Sequence, residues 1–196
     1  MFVFHKGLTR AIVVKTAKEL IEEKGYAQFS MRLLAETLGV KAASLYSHIE
    51  STEALFTEVG LLALKQQKRA QMVAMKGKRR EEAVYALAEA YRDFAQQHRE
   101  LYRTIMEMPL GNDAVLHRAA AMIADPPMQV LADFALDETQ QMHWQRILRG
   151  FMHGFIAQEE AGYFAHFPID SHESYHLAIG CFLEGLHQAE GKKSNE

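Results

Sequence analysis

The chain has 196 residues, 48% of them hydrophobic, and a formal net charge of −3. That is apolar material for one globular domain or two small ones, and the charge excludes a polycation. The lack of an 18-residue apolar run excludes a transmembrane helix, and the single cysteine, Cys181, excludes an intrachain disulfide. The opening "MFVFHKGLTR" lacks the pattern of a secretory leader, so the chain is read as a mature cytoplasmic protein with no membrane partner. Val13, Val14, Ala17, Leu20 and Ile21 form a first helical stripe, which Gly25 ends. Ser30 is placed to cap a short second helix carrying Met31, Leu34, Ala35 and Leu38. Gly39 breaks it, and "AASLYSHI" follows as a third short helix. Ser51 or Thr52 caps a long fourth helix, with Leu55, Phe56, Val59, Leu62 and Ala63 inward.

The pattern lapses at "KGKRR", residues 76–80, and resumes with Val84, Leu87, Ala88, Tyr91, Phe94 and Ala95. "MPLGND", residues 108–113, predicts a break. "DPP", residues 125–127, predicts another, with Asp125 as cap and Pro126 in the first turn of a new helix. Trp144, Ile147, Leu148, Phe151, Met152, Phe155 and Ile156 make one wide apolar face. Tyr175, Ala178, Ile179, Phe182, Leu183 and Leu186 make the last. No alternating strand pattern is found, so the class is all-α with about nine helices. The expected domains are residues 1–54, a connecting helix over 55–78, a larger unit over 79–190, and a frayed tail over 191–196.

Two short helices separated by about three residues around Gly39 and packed on a longer one predict a helix-turn-helix. The run "FSMRLLAETLGVKAASLYSHIESTEAL" resembles the DNA-binding domain of the tetracycline-repressor (TetR) family, over about residues 8 to 60. The resemblance rests on Ser30, Leu34–Ala35, Leu38-Gly39-Val40, Ser44-Leu45-Tyr46, His48, Glu53 and Leu55. It implies a double-stranded DNA operator as partner. Ser30, Tyr46, His48 and Thr52 would bond phosphates, while Arg32, Lys41, Ala42, Ala43 and Ser44 would face bases. Lys41 stands where the family commonly has Ser or Thr, so the third helix loses a cap and gains a cation. Residues 1–50 hold seven Lys and Arg against five Asp and Glu, and the remainder is net acidic. A modest, salt-dependent affinity for non-specific DNA is expected.

"RGFMHGFIAQEEAGYF" and "AYRDFAQQHRELYRTIM" resemble a C-terminal subgroup of the same family, the WHG type, named for a His-Gly pair seen here as His153-Gly154. That resemblance implies a homodimer through the last two long helices. Gly150 and Gly154 permit close approach, and Ile179, Phe182, Leu183 and Leu186 suit the seam. It also implies a pocket for an unknown small-molecule effector, formed by Phe94, Tyr102, Met106, Met122, Phe151, Met152, His153 and Phe155. His153, a polar group on an apolar face, needs a partner or a ligand. The expected function is a ligand-responsive regulator, acting by repression, that uses no cofactor and is not an enzyme.

"HESYH", residues 172–176, offers a rival reading, a zinc hydrolase with His172 and His176 as ligands and Glu173 as base. Chance produces this pattern in about one such chain in twenty. The extended form fails, because Ile179 and Phe182 hold its Gly and His positions, and a catalytic zinc needs a third protein ligand. The stretch follows Asp170 and Ser171, either of which can cap a helix, so a solvated helix start is the expected role.

Overall fold

A computed structural model of the chain describes residues 7–110, 113–166 and 168–193. Among the described residues there are nine α-helices and no strand. They are α1 (Arg10–Lys24), α2 (Met31–Leu38), α3 (Ala42–Leu45), α4 (Thr52–Met75), α5 (Arg80–Gln97), α6 (Arg99–Met106), α7 (Asp113–Leu131), α8 (Glu138–Glu160) and α9 (Ser171–Lys193). They fall into two compact units interleaved in sequence, Met1–Gln66 with Ala95–Ala120, and Gln67–Phe94 with Ala121–Glu196.

The first unit is built on α1. Thr9 caps it by accepting from the Ile12 N–H at 3.3 Å, and Gly25 ends it at φ +97°, a conformation that a side chain would strain. Its stripe of Val13, Val14, Ala17, Leu20 and Ile21 shares one buried cluster with Leu34, Ala35, Leu45, Ile49, Leu55 and Val59. α6 is fastened to the same helix end. The Tyr26 N–H donates to the Glu100 carboxylate at 2.7 Å, and the Arg103 guanidinium lies 5.4 Å from the Tyr26 ring centre. Gly60 in α4 is a required gap, because a Cβ there would meet the Met108 sulfur at 2.6 Å.

The second unit closes around Val84, Leu87, Ala88, Val130, Leu131, Leu148, Met152, Tyr175, Ile179, Phe182, Leu183 and Leu186. The Tyr175 hydroxyl donates to the Ala88 carbonyl at 2.9 Å. Burial pushes its pKa up, so the phenol stays neutral. Arg92, 8% exposed, bonds Glu159 at 2.6 and 3.2 Å, which supplies the counter-charge that a buried guanidinium needs. Arg80 opens α5 at φ +48°, unusual for a side-chain-bearing residue. It is held by Asp133, which accepts from its N–H and its guanidinium, and by Glu190 at 2.9 Å.

Four sequence expectations change. α7 runs without a break through Pro126 and Pro127, so Asp125 caps nothing. Asp125 bonds Lys68 at 2.6 Å and Gln129 at 3.2 Å, and both prolines are buried, so packing outweighs the two backbone bonds the prolines cannot donate. α9 continues to Lys193, which makes 191–193 helical rather than frayed; 194–196 lie outside the described residues. The predicted break at 108–113 includes residues 111 and 112, also outside them, as are residues 1–6. Leu62, expected inward, is 41% exposed. Regular helix in "AASLYSHI" ends at Leu45, although the His48 and Ile49 N–H groups still bond the Leu45 carbonyl at 2.9 and 3.0 Å.

Candidate nucleic-acid interface

α2 and α3 meet at Gly39, which adopts the left-handed conformation at φ +67°. The Val40 N–H then closes back on the Ala35 carbonyl at 3.0 Å. Leu34, Ala35, Leu45 and Ile49 are 0%, 3%, 0% and 2% exposed, so the inner faces of both helices are fixed in the core. Truncating Leu45 to alanine would cost about 2–5 kcal/mol. With Leu45 inward, Lys41, Ala42, Ala43, Ser44 and Tyr46 are all exposed. Of the residues predicted to face bases, Lys41, Ala42, Ala43 and Ser44 therefore stand exposed at one short rod, while Arg32 is on α2.

Ser30 caps α2 by accepting from the Leu33 N–H at 3.1 Å. Its hydroxyl proton is not consumed by that bond and can be donated to a phosphate. Tyr46 is 52% exposed, which places a phenolic O–H in solvent beside α3. His48 is half-buried. Ser51, not Thr52, caps α4, with its oxygen accepting from the Ala54 N–H at 3.0 Å. That leaves the half-buried Thr52 as the first helical residue. Lys41 is the N-cap residue of α3 and makes no side-chain cap bond, as its side chain offers no acceptor.

Arg32 is exposed, and its Nε donates to Glu36 at 2.8 Å, one turn on. Glu36, by hydrogen bond and then by charge, raises the Arg32 pKa, so the guanidinium stays cationic. Sequence reasoning missed this partner, although the i,i+4 spacing of Arg32 and Glu36 is the signal for it.

The predicted effector residues divide between the two units. Phe94 and Met152 are buried in the second unit, where Phe151 and Phe155 pack against the core around Tyr175. Met122 is half-buried in that unit. Tyr102 is buried in the first unit, and Met106 is 44% exposed there. His153 is exposed, so it does not stand on the apolar face of α8. The predicted dimer seam also divides. Ile179, Phe182, Leu183 and Leu186 are 0–7% exposed in the chain's own core and do not face outward. Gly150 and Gly154, by contrast, have nothing within 4 Å of where a Cβ would stand.

The rival zinc reading finds no geometric support. His172 bonds Glu89 at 2.9 Å and His176 stacks on Tyr85 with ring centres 4.3 Å apart. Asp170 caps α9 through the His172 N–H at 2.8 Å. Among the described residues no group of three or more His, Cys, Asp or Glu side chains is placed to hold a metal. No described helix is long and apolar enough to cross a membrane.

Residues 13–59 match the family model described as bacterial regulatory proteins, tetR family, and residues 84–182 match the tetracyclin repressor-like C-terminal domain. An uncharacterized HTH-type transcriptional regulator of Mycobacterium tuberculosis, Rv0681, is 30% identical over 161 residues, covering 79% of this chain and 72% of its own. The HTH-type regulator YobS of Bacillus subtilis is 27% identical over 92% of this chain and 93% of its own. Apo ActR from Streptomyces coelicolor superposes with a TM-score of 0.70 at 20% identity, over 96% of this chain and 99% of that one, which speaks for the fold. ActR has also been solved in complex with (S)-DNPA and with actinorhodin.

Proposed function

The chain belongs to the tetracycline-repressor family of DNA-binding transcriptional regulators, and on that premise we propose that it is a dimeric repressor released from a near-palindromic operator by a small effector. The observation that carries the reading is the outward set Lys41, Ala42, Ala43, Ser44 and Tyr46 around a fully buried Leu45. A rod so held presents the same edge every time, which direct base readout needs. Lys41 and Arg32 supply the base-directed cations, and the alanines offer apolar contact such as a thymine methyl accepts. Ser30, Tyr46, His48 and Thr52 supply phosphate contacts that set register without reading sequence.

The dimer reading moves to a different face. On α8, Ile147 is 52% exposed and shares a side with Gly150 and Gly154; on α9, Leu177 is 70% exposed and shares a side with Cys181 and Glu184. These surfaces, not the buried stripe, would pair with a second copy. Effector binding is supported by the apolar second unit and by analogy with ActR, whose complexes show that one protein of this fold takes up small organic molecules. An effector acts only through its differential affinity for the DNA-bound and released arrangements.

The test is to sequence genomic fragments retained by the purified chain. An inverted repeat whose half-sites are about one helical turn apart supports the proposal. Retention without any common sequence, or with a single half-site, defeats it.

A further inference from the structure

Three glutamines are buried in the second unit. Gln67, Gln71 and Gln145 are 4%, 5% and 3% exposed. An interior amide is costly unless its polar atoms are bonded. Two here are not, because neither Gln67 Nε2 nor Gln145 Oε1 has a hydrogen-bond partner. The Nε2 of Gln145 rests 3.1 Å from the Met142 sulfur, a weak acceptor. On α4, Gln67 and Gln71 precede Met75 at four-residue intervals; on α8, Gln145 stands one turn before Leu148 and two before Met152. Met75, Leu148 and Met152 belong to one buried cluster, so the stripes that carry the two orphan amides both run into the same apolar core. A core with no use for these amides would be more stable with apolar side chains in their place.

We propose that Gln67 and Gln145 recognise the effector, and that the effector is an uncharged molecule with an apolar body. It carries an acceptor, such as a carbonyl, for the Gln67 amide and a donor, such as a hydroxyl or N–H, for the Gln145 carbonyl. This rests on reading the second unit as effector-binding. The neutrality follows from the remaining polar groups. Among the described residues, the other polar groups buried in this unit are Gln71, Arg92, already matched by Glu159, the Tyr175 hydroxyl, bonded to Ala88, and one oxygen of the half-buried Glu89 carboxylate, whose other oxygen is bonded to His172. An anion entering this core would lose its hydration with no unmatched cation beside the two glutamines, and a cation would find only the Glu89 carboxylate, already bonded to His172, whereas a carbonyl and a hydroxyl would complete two open bonds. Arg149 on α8 is half-buried, and desolvation lowers its pKa, so an anion paired with Arg149 is the rival that the test must separate.

Thermal unfolding of the full chain is followed alone and with millimolar para-hydroxybenzamide or para-hydroxybenzoate, two probes that differ chiefly in charge. Gln67→Leu and Gln145→Leu are measured beside the unaltered chain. Without probe, both variants are expected to unfold at the same or a higher temperature, since each loses an unpaired buried group. The benzamide is expected to raise the midpoint of the unaltered chain by about 2–4 °C, the benzoate is not, and the rise disappears in either variant. A lower probe-free midpoint in either variant marks its amide as a bonded structural group and overturns the proposal. So does a benzoate shift as large as that of the benzamide, a benzamide shift kept in either variant, or no shift with either probe. Retention of operator DNA is measured separately, and its loss in the unaltered chain would tell against the regulator reading instead.

Discussion

On the proposed reading, Glu36 and a base edge compete for the one Arg32 guanidinium. In the free chain Glu36 holds it, yet reading a base edge requires it to turn away. The exchange favours DNA, because an exposed i,i+4 ion pair is weak and salt-screened, while a bidentate arginine–guanine contact is among the stronger base contacts. Arg32→Ala and Lys41→Ala are each expected to lower operator affinity by roughly ten- to a hundredfold and random-DNA affinity by much less, measured by fluorescence anisotropy. Equal losses on both DNAs would remove the base-reading assignment. Tyr46→Phe deletes one neutral O–H and is expected to weaken both DNAs alike, leaving the slope of affinity against salt unchanged, because no cation is lost. An unaltered affinity would show that the phenol touches no phosphate. What could be read at this scale from sequence was local. The Ser30 cap lies within three residues of its amide, and the Gly39 turn is set by its own backbone. The exposure of His153 was not local; it depends on which face of α8 the rest of the chain covers.

α3 is the element most open to change. It is four residues long and starts without a side-chain cap. Lys41→Ser would supply the missing acceptor, worth about 1 kcal/mol, or about 2–4 °C in a chain of this size. The same change removes a cation from the edge proposed to face DNA, so calorimetry and anisotropy should move in opposite directions, with the midpoint up and the DNA affinity down. A fall in both would mean that Lys41 supports the fold. The end of α9 is fastened electrostatically. Burial pushes the Glu190 pKa up, but the Arg80 guanidinium and the Ala135 N–H outweigh it, and the net value lies below that of an ordinary glutamate. A depressed carboxylate pKa stabilises the fold above the unfolded value of 4.5, and that contribution is lost as pH falls through the folded value. Glu190→Gln should therefore unfold earlier than the unaltered chain at pH 7, and the gap should close in acid; a gap independent of pH would assign the loss to packing. Helices were legible from sequence because a 3.6-residue stripe announces itself. α7 was not, since Pro126 and Pro127 signal a break by local rules, and only burial against the second unit's interior keeps the helix continuous.

For the whole molecule, an apolar stripe on the last helix poses a question that periodicity does not answer, namely whether it meets the chain's own core or a second copy. Sequence reasoning assigned Ile179, Phe182, Leu183 and Leu186 to the seam because the family resemblance implies pairing through the last two long helices. The fold spends them internally, since the second unit needs that area to bury Leu148 and Met152. The pairing surface proposed instead is sparser and carries Ile147 and Leu177, with Gly150 and Gly154 leaving room for backbones to approach. The two faces predict different failures. Ile147→Glu and Leu177→Glu place charges on surfaces already in water, so each should fold with an unchanged midpoint when dilute, yet sediment as a monomer. Phe182→Ala should instead cost about 3–5 kcal/mol of stability through the cavity it leaves. Operator binding provides the link to function. In the proposed dimer, two heads about 34–36 Å apart would bind as one, because the second contact would follow at high effective concentration. The two charge variants should thus lose operator affinity by more than tenfold while keeping most of the weak affinity for random DNA. If they remain dimeric in sedimentation, the pairing face lies elsewhere; if the unaltered chain is itself monomeric where it binds operator fully, two-headed recognition is wrong.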